Sequence, residues 1–201
     1  MNKKEVQARI LLNGKPLLLD RFKWDSKTKT FTSDVNRLVI DFTGFPNCTF
    51  NTGAFCMFRT SSQCTFKTRG HCIFNTGYGC TFETGTHCVF IAEGSSTFKT
   101  GYGCTFIVSS VCTWKYDWGE LKQPPLHFSG SQYFIEFSRP GYIRSGCVEE
   151  SVSWWQHHVA SCAREYNYKP EQVKEYKLYV ELLVEWMRQN HFLSRRKRRV
   201  E

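Results

Sequence analysis

The 201-residue chain has no apolar run approaching the roughly 20 residues of a membrane-spanning helix, and so no helical span is expected. Its first residues, Met1-Asn2-Lys3-Lys4-Glu5-Val6-Gln7-Ala8-Arg9, lack the apolar stretch of a secretory signal, so a reducing compartment is expected. Gly-x-Ser-x-Gly, the P-loop and Cys-x-x-Cys are all missing, and the acids are scattered rather than paired. His157 and His158 lie near Cys162, but at helical spacing this pattern reads as packing or surface. An enzyme is therefore not expected. Nor is the chain short of core material. Aromatics make up 16 %, with 17 Phe, 9 Tyr and 6 Trp, more than disordered chains carry.

The net charge is +9, and its distribution matters more than its size. Residues 1–40 hold nine Lys and Arg against four acids, and residues 171–201 hold eight against five. Residues 41–112 hold four against three. The middle is thus almost neutral, and a nucleic-acid groove along it is not supported.

That middle is an octapeptide repeat. Eight of the ten cysteines, Cys48, Cys56, Cys64, Cys72, Cys80, Cys88, Cys104 and Cys112, fall on one lattice with a step of eight, and Ser96 fills the single gap. Phe follows two places after each, from Phe50 to Phe106, and Trp114 closes the series. An earlier, degenerate unit, Ile40-Asp41-Phe42, fits the same register with Ile in the Cys slot. Repeats of this kind decide the fold before any other feature.

Within the unit, numbered from Cys, positions 1 and 3 share one strand face because side chains alternate. Polar residues at position 4, such as Asn51, Arg59 and Lys67, put Cys and Phe on the inner face. Positions 5–8 are often Thr-Gly-x-x, where Gly supplies a left-handed turn. One short strand and one turn recur every eight residues. A meander of hairpins would expose two long edges. A parallel β-solenoid of about 16 residues per coil stacks each side chain on its own kind, and near-identical units favour it. Its ends need caps.

In such a coil Cys48, Cys64, Cys80 and Cys112 form one ladder with Ser96, and Cys56, Cys72, Cys88 and Cys104 form the other. Three readings stand side by side. Cys is a small apolar filler beside the Phe ladder. It forms disulfides across each coil, although a Phe interior holds sheets about 10 Å apart and a disulfide needs Cα atoms at about 5.5 Å. Or it is a thiolate row that holds iron or zinc. His71 and His87, 16 apart, stack on one edge as turn residues.

Residues 1–39 read as a small β cap, with two strands around Asn13-Gly14-Lys15-Pro16. The solenoid occupies residues 40–119, and Gln123-Pro124-Pro125 marks a break. Residues 120–201 form a C-terminal cap with a basic tail. Tyr133-Phe134-Ile135-Glu136-Phe137 and Gly141-Tyr142-Ile143-Arg144 are strands, and helices follow at about 149–166 and 170–193. Val173, Tyr176, Val180, Leu183 and Met187 make the apolar stripe of the second helix, and Trp154, Trp155, Val159 and Cys162 the matching face of the first. The hairpin is expected to fold over the last coil. Arg195, Arg196, Lys197, Arg198 and Arg199 are either a solvated tail or a nucleic-acid contact.

The Cys-x-Phe-x-Thr-Gly repeat, then Pro140-Gly141-Tyr142-Ile143-Arg144-Ser145-Gly146-Cys147, a Trp-containing helix and Pro170-Glu171-Gln172-Val173-Lys174-Glu175-Tyr176, resembles a family of Cys-rich β-solenoid proteins of large bacteriophages and other large DNA viruses. The resemblance covers about residues 40–190. Ser96, Ile91-Ala92-Glu93 and Ile107-Val108-Ser109 depart from its pattern. It implies a viral origin, a host-cytoplasmic or virion setting, and thiolate-bound iron in the solenoid, without a particular activity. The expectation is a viral structural or interaction protein on a rigid solenoid. It would bind a protein partner or further copies of itself. The alternatives are a metal-binding or redox protein using the Cys row as its cofactor site, and a nucleic-acid-binding factor acting through the basic ends.

Overall fold

The computed structural model describes residues 1–109 and 111–193. The chain forms two compact units that divide between Pro124 and Pro125, at the expected break.

The first unit opens with helix α1 (Lys3–Gln7), where the Asn2 side chain accepts from the N–H groups of Lys4 and Glu5 and Glu5 bonds back to Asn2. Strands β1 (Ile10–Leu12) and β2 (Lys15–Pro16) form a hairpin at Asn13 and Gly14. Both are left-handed, with φ of 50° and 78°, as a two-residue hairpin turn requires. A 3-10 turn (Leu19–Arg21) leads to a second hairpin, β3 (Lys23–Asp25) and β4 (Thr30–Thr32).

The repeat then builds β5 (Leu38–Phe42), β6 (Thr49–Thr52), β7 (Met57–Thr60), β8 (Thr65–Thr68), β9 (Ile73–Thr76), β10 (Thr81–Glu83), β11 (Val89–Ala92), β12 (Thr97–Lys99), β13 (Thr105–Val108) and β14 (Thr113–Tyr116), with β15 (Gly119–Leu121) last. Alternate strands enter opposite sheets. One sheet runs β2-β1-β5-β7-β9-β11-β13 and the other β3-β4-β6-β8-β10-β12-β14-β15. Within each, the repeat strands are parallel and in register, Phe over Phe: Phe50 pairs with Phe66 and Phe66 with Phe82, while Phe58 pairs with Phe74 and Phe74 with Phe90. This is the expected parallel β-solenoid of about 16 residues per coil.

The core is a herringbone of rings. Down each column Phe stacks on Phe at 4.9–5.3 Å, with planes within 13° of parallel. Between columns the rings meet edge to face at 5.0–5.8 Å. Both geometries satisfy the ring quadrupole, so the repeat optimises every pair at once. Phe50 to Phe98 are buried to within 1 %.

Two features of the first coil differ from the sequence reading. The solenoid starts earlier, because Phe31 pairs with Phe50. Ile40 lies not in the Cys slot but in the Phe slot, opposite Phe58, and Phe42 lies opposite Thr60. A shift of two residues keeps every side chain on its face, so alternation alone cannot detect it. The loop before β6 absorbs the extra length, with Gly44 and Asn47 left-handed (φ of 84° and 60°).

The turn glycines divide into two kinds. Position 8 carries the left-handed residue, and it is mostly not glycine: Phe55, Gln63, His71 and His87 have φ of 56–60°, beside Gly79 and Gly103. The Gly of Thr-Gly is needed for space. A Cβ on Gly85 would sit 2.7 Å from the Gly70 backbone nitrogen.

The second unit is an antiparallel meander, β16 (His127–Ser129), β17 (Phe134–Arg139), β18 (Tyr142–Ser145) and β19 (Val148–Ser151), followed by α2 (Val152–Glu165) and α3 (Pro170–Gln189). The first helix starts later than expected because residues 148–151 extend as β19. Ser151 then caps it by accepting from the Trp154 N–H. The apolar faces of α2 and α3 pack on each other and on the meander strands of their own unit. Trp155 Nε1 donates to the Ile143 carbonyl at 2.8 Å. The Tyr133 N–H donates to the Tyr176 hydroxyl at 2.6 Å. Phe137 meets Trp186 at 5.0 Å.

Candidate functional site

The chemistry-bearing feature is the pair of cysteine columns. All eight lattice cysteines are free thiols, and none is more than 5 % exposed. Each sits one residue before a strand, between turn and ladder. The N–H of position 2 reaches the Cys carbonyl of the preceding coil, as Ile73 does to Cys56 at 2.9 Å. The N–H of position 8 reaches the next coil's turn, as His71 does to Thr86 at 2.9 Å. In the column from Cys56 to Cys104 the next thiol takes the Cys N–H between them. Cys56, Cys72 and Cys88 donate their N–H groups to the Sγ of Cys72, Cys88 and Cys104 at 3.4–3.5 Å.

The thiol hydrogens point at turn carbonyls. Cys72 Sγ lies 3.6 Å from the oxygens of Arg69 and Gly70 and 3.8 Å from that of Gly53 in the coil before. Cys80 Sγ lies 3.6 Å from the Ser61 oxygen. Sulfur is a weak donor and a weak acceptor, and here it does both in a dry interior. Ser96 reproduces the pattern with oxygen. Its Oγ accepts the Cys80 N–H at 3.2 Å and donates to the Glu93 carbonyl at 3.1 Å. The slot therefore asks for a small side chain that accepts one N–H and donates to a turn.

Burial pushes the Cys48 and Cys80 thiols up to about 11 and raises Cys64 as well. In the other column neighbouring sulfurs shift one another in opposite directions. Cys72 and Cys104 are raised chiefly by the adjoining thiols of Cys56 and Cys88, with burial acting in the same direction. Cys56 and Cys88 are lowered by the same contacts.

A tetrahedral iron or zinc site needs about four sulfurs around one ion. Among the described residues, no group of three or more His, Cys, Asp or Glu is gathered so as to hold a metal ion. Each column presents its thiols in single file, and the two columns belong to different sheets. As arranged they do not fit a four-thiolate centre. The sulfurs would have to leave their turn carbonyls to converge.

The rest of the surface holds features that the unit-by-unit reading passed over. Position 2 alternates with a period of 16. In the sheet that contains β6 it is a column of Thr30, Thr49, Thr65, Thr81, Thr97 and Thr113. In the sheet that contains β7 it is Val39, Met57, Ile73 and Val89, ending at Thr105. The signal was legible in the sequence as Thr in every second unit. His71 and His87 do stack, at 5.1 Å, and Phe55 continues the stack onto His71 at 4.8 Å.

In the second unit, Cys147, Cys162 and the rings of Tyr133, Trp155, Tyr166 and Tyr168 line a cavity of about 90 Å³. The imidazoles of His157 and His158 pair through Nδ1 with the Ser153 and Trp154 carbonyls. The basic run Arg195 to Arg199 lies outside the described residues. Comparison of the chain with protein-family models, curated proteins and solved structures finds no match.

Proposed function

We propose that this protein is a structural or interaction protein in which the solenoid is a rigid rod offering its ends and faces to partners. The observation that carries this reading is the uninterrupted ring stack from Phe50 to Trp114, beside which the thiols of Cys72, Cys88 and Cys104 accept backbone N–H groups from the neighbouring coil. Such a core resists bending, because displacing one coil breaks stacking, edge-to-face and hydrogen-bonding terms together. The resemblance of the repeat to solenoids of large DNA viruses supports a role in a host cytoplasm or a virion.

Elemental analysis with thiol titration in denaturant tests the reading. The expected result is a colourless chain without iron or zinc, all ten cysteines reduced, and a melting temperature indifferent to chelators. The second reading is a metal-binding or redox protein, favoured by the file of buried free thiols from Cys56 to Cys104. Several metal ions per chain, with a melting temperature that falls on chelation, would establish it instead.

A further inference from the structure

The cavity of the second unit is walled by five aromatic rings, those of Tyr133, Trp155, Tyr166, Tyr168 and Tyr176, and no Lys, Arg, His, Asp or Glu lines it. Trp155 and Tyr176 are buried and form its floor, while Tyr133 and Tyr166 are 47 % and 42 % exposed and stand at its mouth. At about 90 Å³ it lies far below the roughly 300 Å³ at which sites for drug-sized ligands begin, so it has room for one compact group.

The chemistry of the walls selects that group. An aromatic face is negative and attracts a cation within about 6 Å of its centre. Two rings at right angles, each about 4.5 Å from a shared ion, have centroids about 6.4 Å apart. Tyr133 and Tyr166 are 6.3 Å apart with planes at 77°, and Tyr168 lies 6.4 Å from Tyr133. The field at the mouth has the matching sign. The Tyr166 hydroxyl is pushed up chiefly by Cys147, then by burial and by Glu165, so negative charge is disfavoured there and positive charge is favoured. The positive excess of the chain lies elsewhere, since residues 125–193 carry eight acids against seven Lys and Arg. The polar groups of the floor are already engaged. Ser145 donates to the Phe134 carbonyl at 3.0 Å, and the Tyr176 hydroxyl accepts from the Tyr133 N–H and donates to the Tyr133 carbonyl. A primary ammonium would leave N–H donors unsatisfied against such walls, whereas a quaternary one has none to satisfy.

We propose that this cavity is an aromatic cage for a trimethylammonium group, the head shared by choline and trimethylated lysine. The cation lies against the faces of Tyr133 and Tyr166, its methyl groups point toward the floor, and its stem leaves through the mouth. The site belongs wholly to the second unit and goes beyond the scaffold reading, which concerns the solenoid.

Titration of choline with the full-length chain, followed by the ligand's methyl proton resonance, tests the proposal. The signal should move upfield and saturate, because protons over ring faces are shielded. Neohexyl alcohol, the uncharged carbon isostere of choline, and ethanolamine, its primary-amine counterpart, should each bind at least about fivefold more weakly. Tyr166→Leu removes one ring face and should weaken choline about fivefold, whereas Tyr166→Phe keeps the face and should stay within about twofold. Tyr78→Leu, at a similarly exposed tyrosine of the first unit, should change nothing. A peptide carrying trimethyllysine should bind by the same shift, and the tighter of the two cations identifies the stem that the mouth accepts. No saturable shift with either cation, equal affinity for neohexyl alcohol, or binding unchanged in both Tyr133→Leu and Tyr166→Leu overturns the proposal. None of these outcomes touches the scaffold reading, which metal and thiol content decide on the same sample.

Discussion

Phe74→Ala strikes the solenoid at its centre. The ring is fully buried, stacked on Phe58 at 4.9 Å and Phe90 at 5.0 Å, with Phe66 and Phe82 edge-on at 5.2 and 5.3 Å. Transfer of a buried aromatic side chain contributes about 2–3 kcal/mol. Four ring pairs at about 0.5 kcal/mol each, the low end of their range, add about 2. The expected loss is therefore about 4–5 kcal/mol, at the upper end of the range for aromatic truncation in a core. The neighbouring Ile73 points outward and is 40 % exposed, so Ile73→Ala should cost about 1 kcal/mol or less. Native-state hydrogen exchange over residues 57–92 reads the local opening free energy independently of the second unit. Equal losses for Ile73→Ala and Phe74→Ala, or a loss under about 1 kcal/mol for Phe74→Ala, would refute the assignment of faces and the herringbone core.

Three other predictions concern the cysteine slots. Ser96→Ala leaves the Cys80 N–H without its acceptor and should cost about 1–3 kcal/mol, whereas Ser96→Cys should stay within about 0.5; equal effects in chemical denaturation would remove the capping role. Iodoacetamide on the native chain should label exposed Cys147 and leave the eight lattice thiols untouched until denaturant is added, as peptide mass spectrometry would show. Burial raises Cys48 and Cys80 from 9.0 to about 11, so their neutral thiols stabilise the fold fully below about pH 9. That contribution should fall as pH rises toward 11, and a melting temperature flat across this window would contradict it.

The sequence by itself determined the parallel solenoid, its coil length and the inward Cys and Phe, because an eight-residue period combined with two-residue alternation leaves few other ways to bury the rings. It also contained the 16-residue alternation of Thr with Met, Ile and Val that separates the two outer faces, and the stacking of His71 on His87. Tertiary structure decided the rest. The first coil's register shifted by two residues, because such a slip preserves the face of every side chain and only loop length and ring stacking select between the options. Phe31 joined the core through a β4 strand that no Cys announces. The apolar stripe of α3 found its cover in β17, a strand whose alternation shows that it has an inner face but not what lies against it. The cysteines looked interchangeable as filler, bridge or ligand, since residue type and spacing are the same in all three. The N–H groups of Cys56, Cys72 and Cys88 find the next thiol only once neighbouring coils are stacked, and no spacing in the sequence announces that contact.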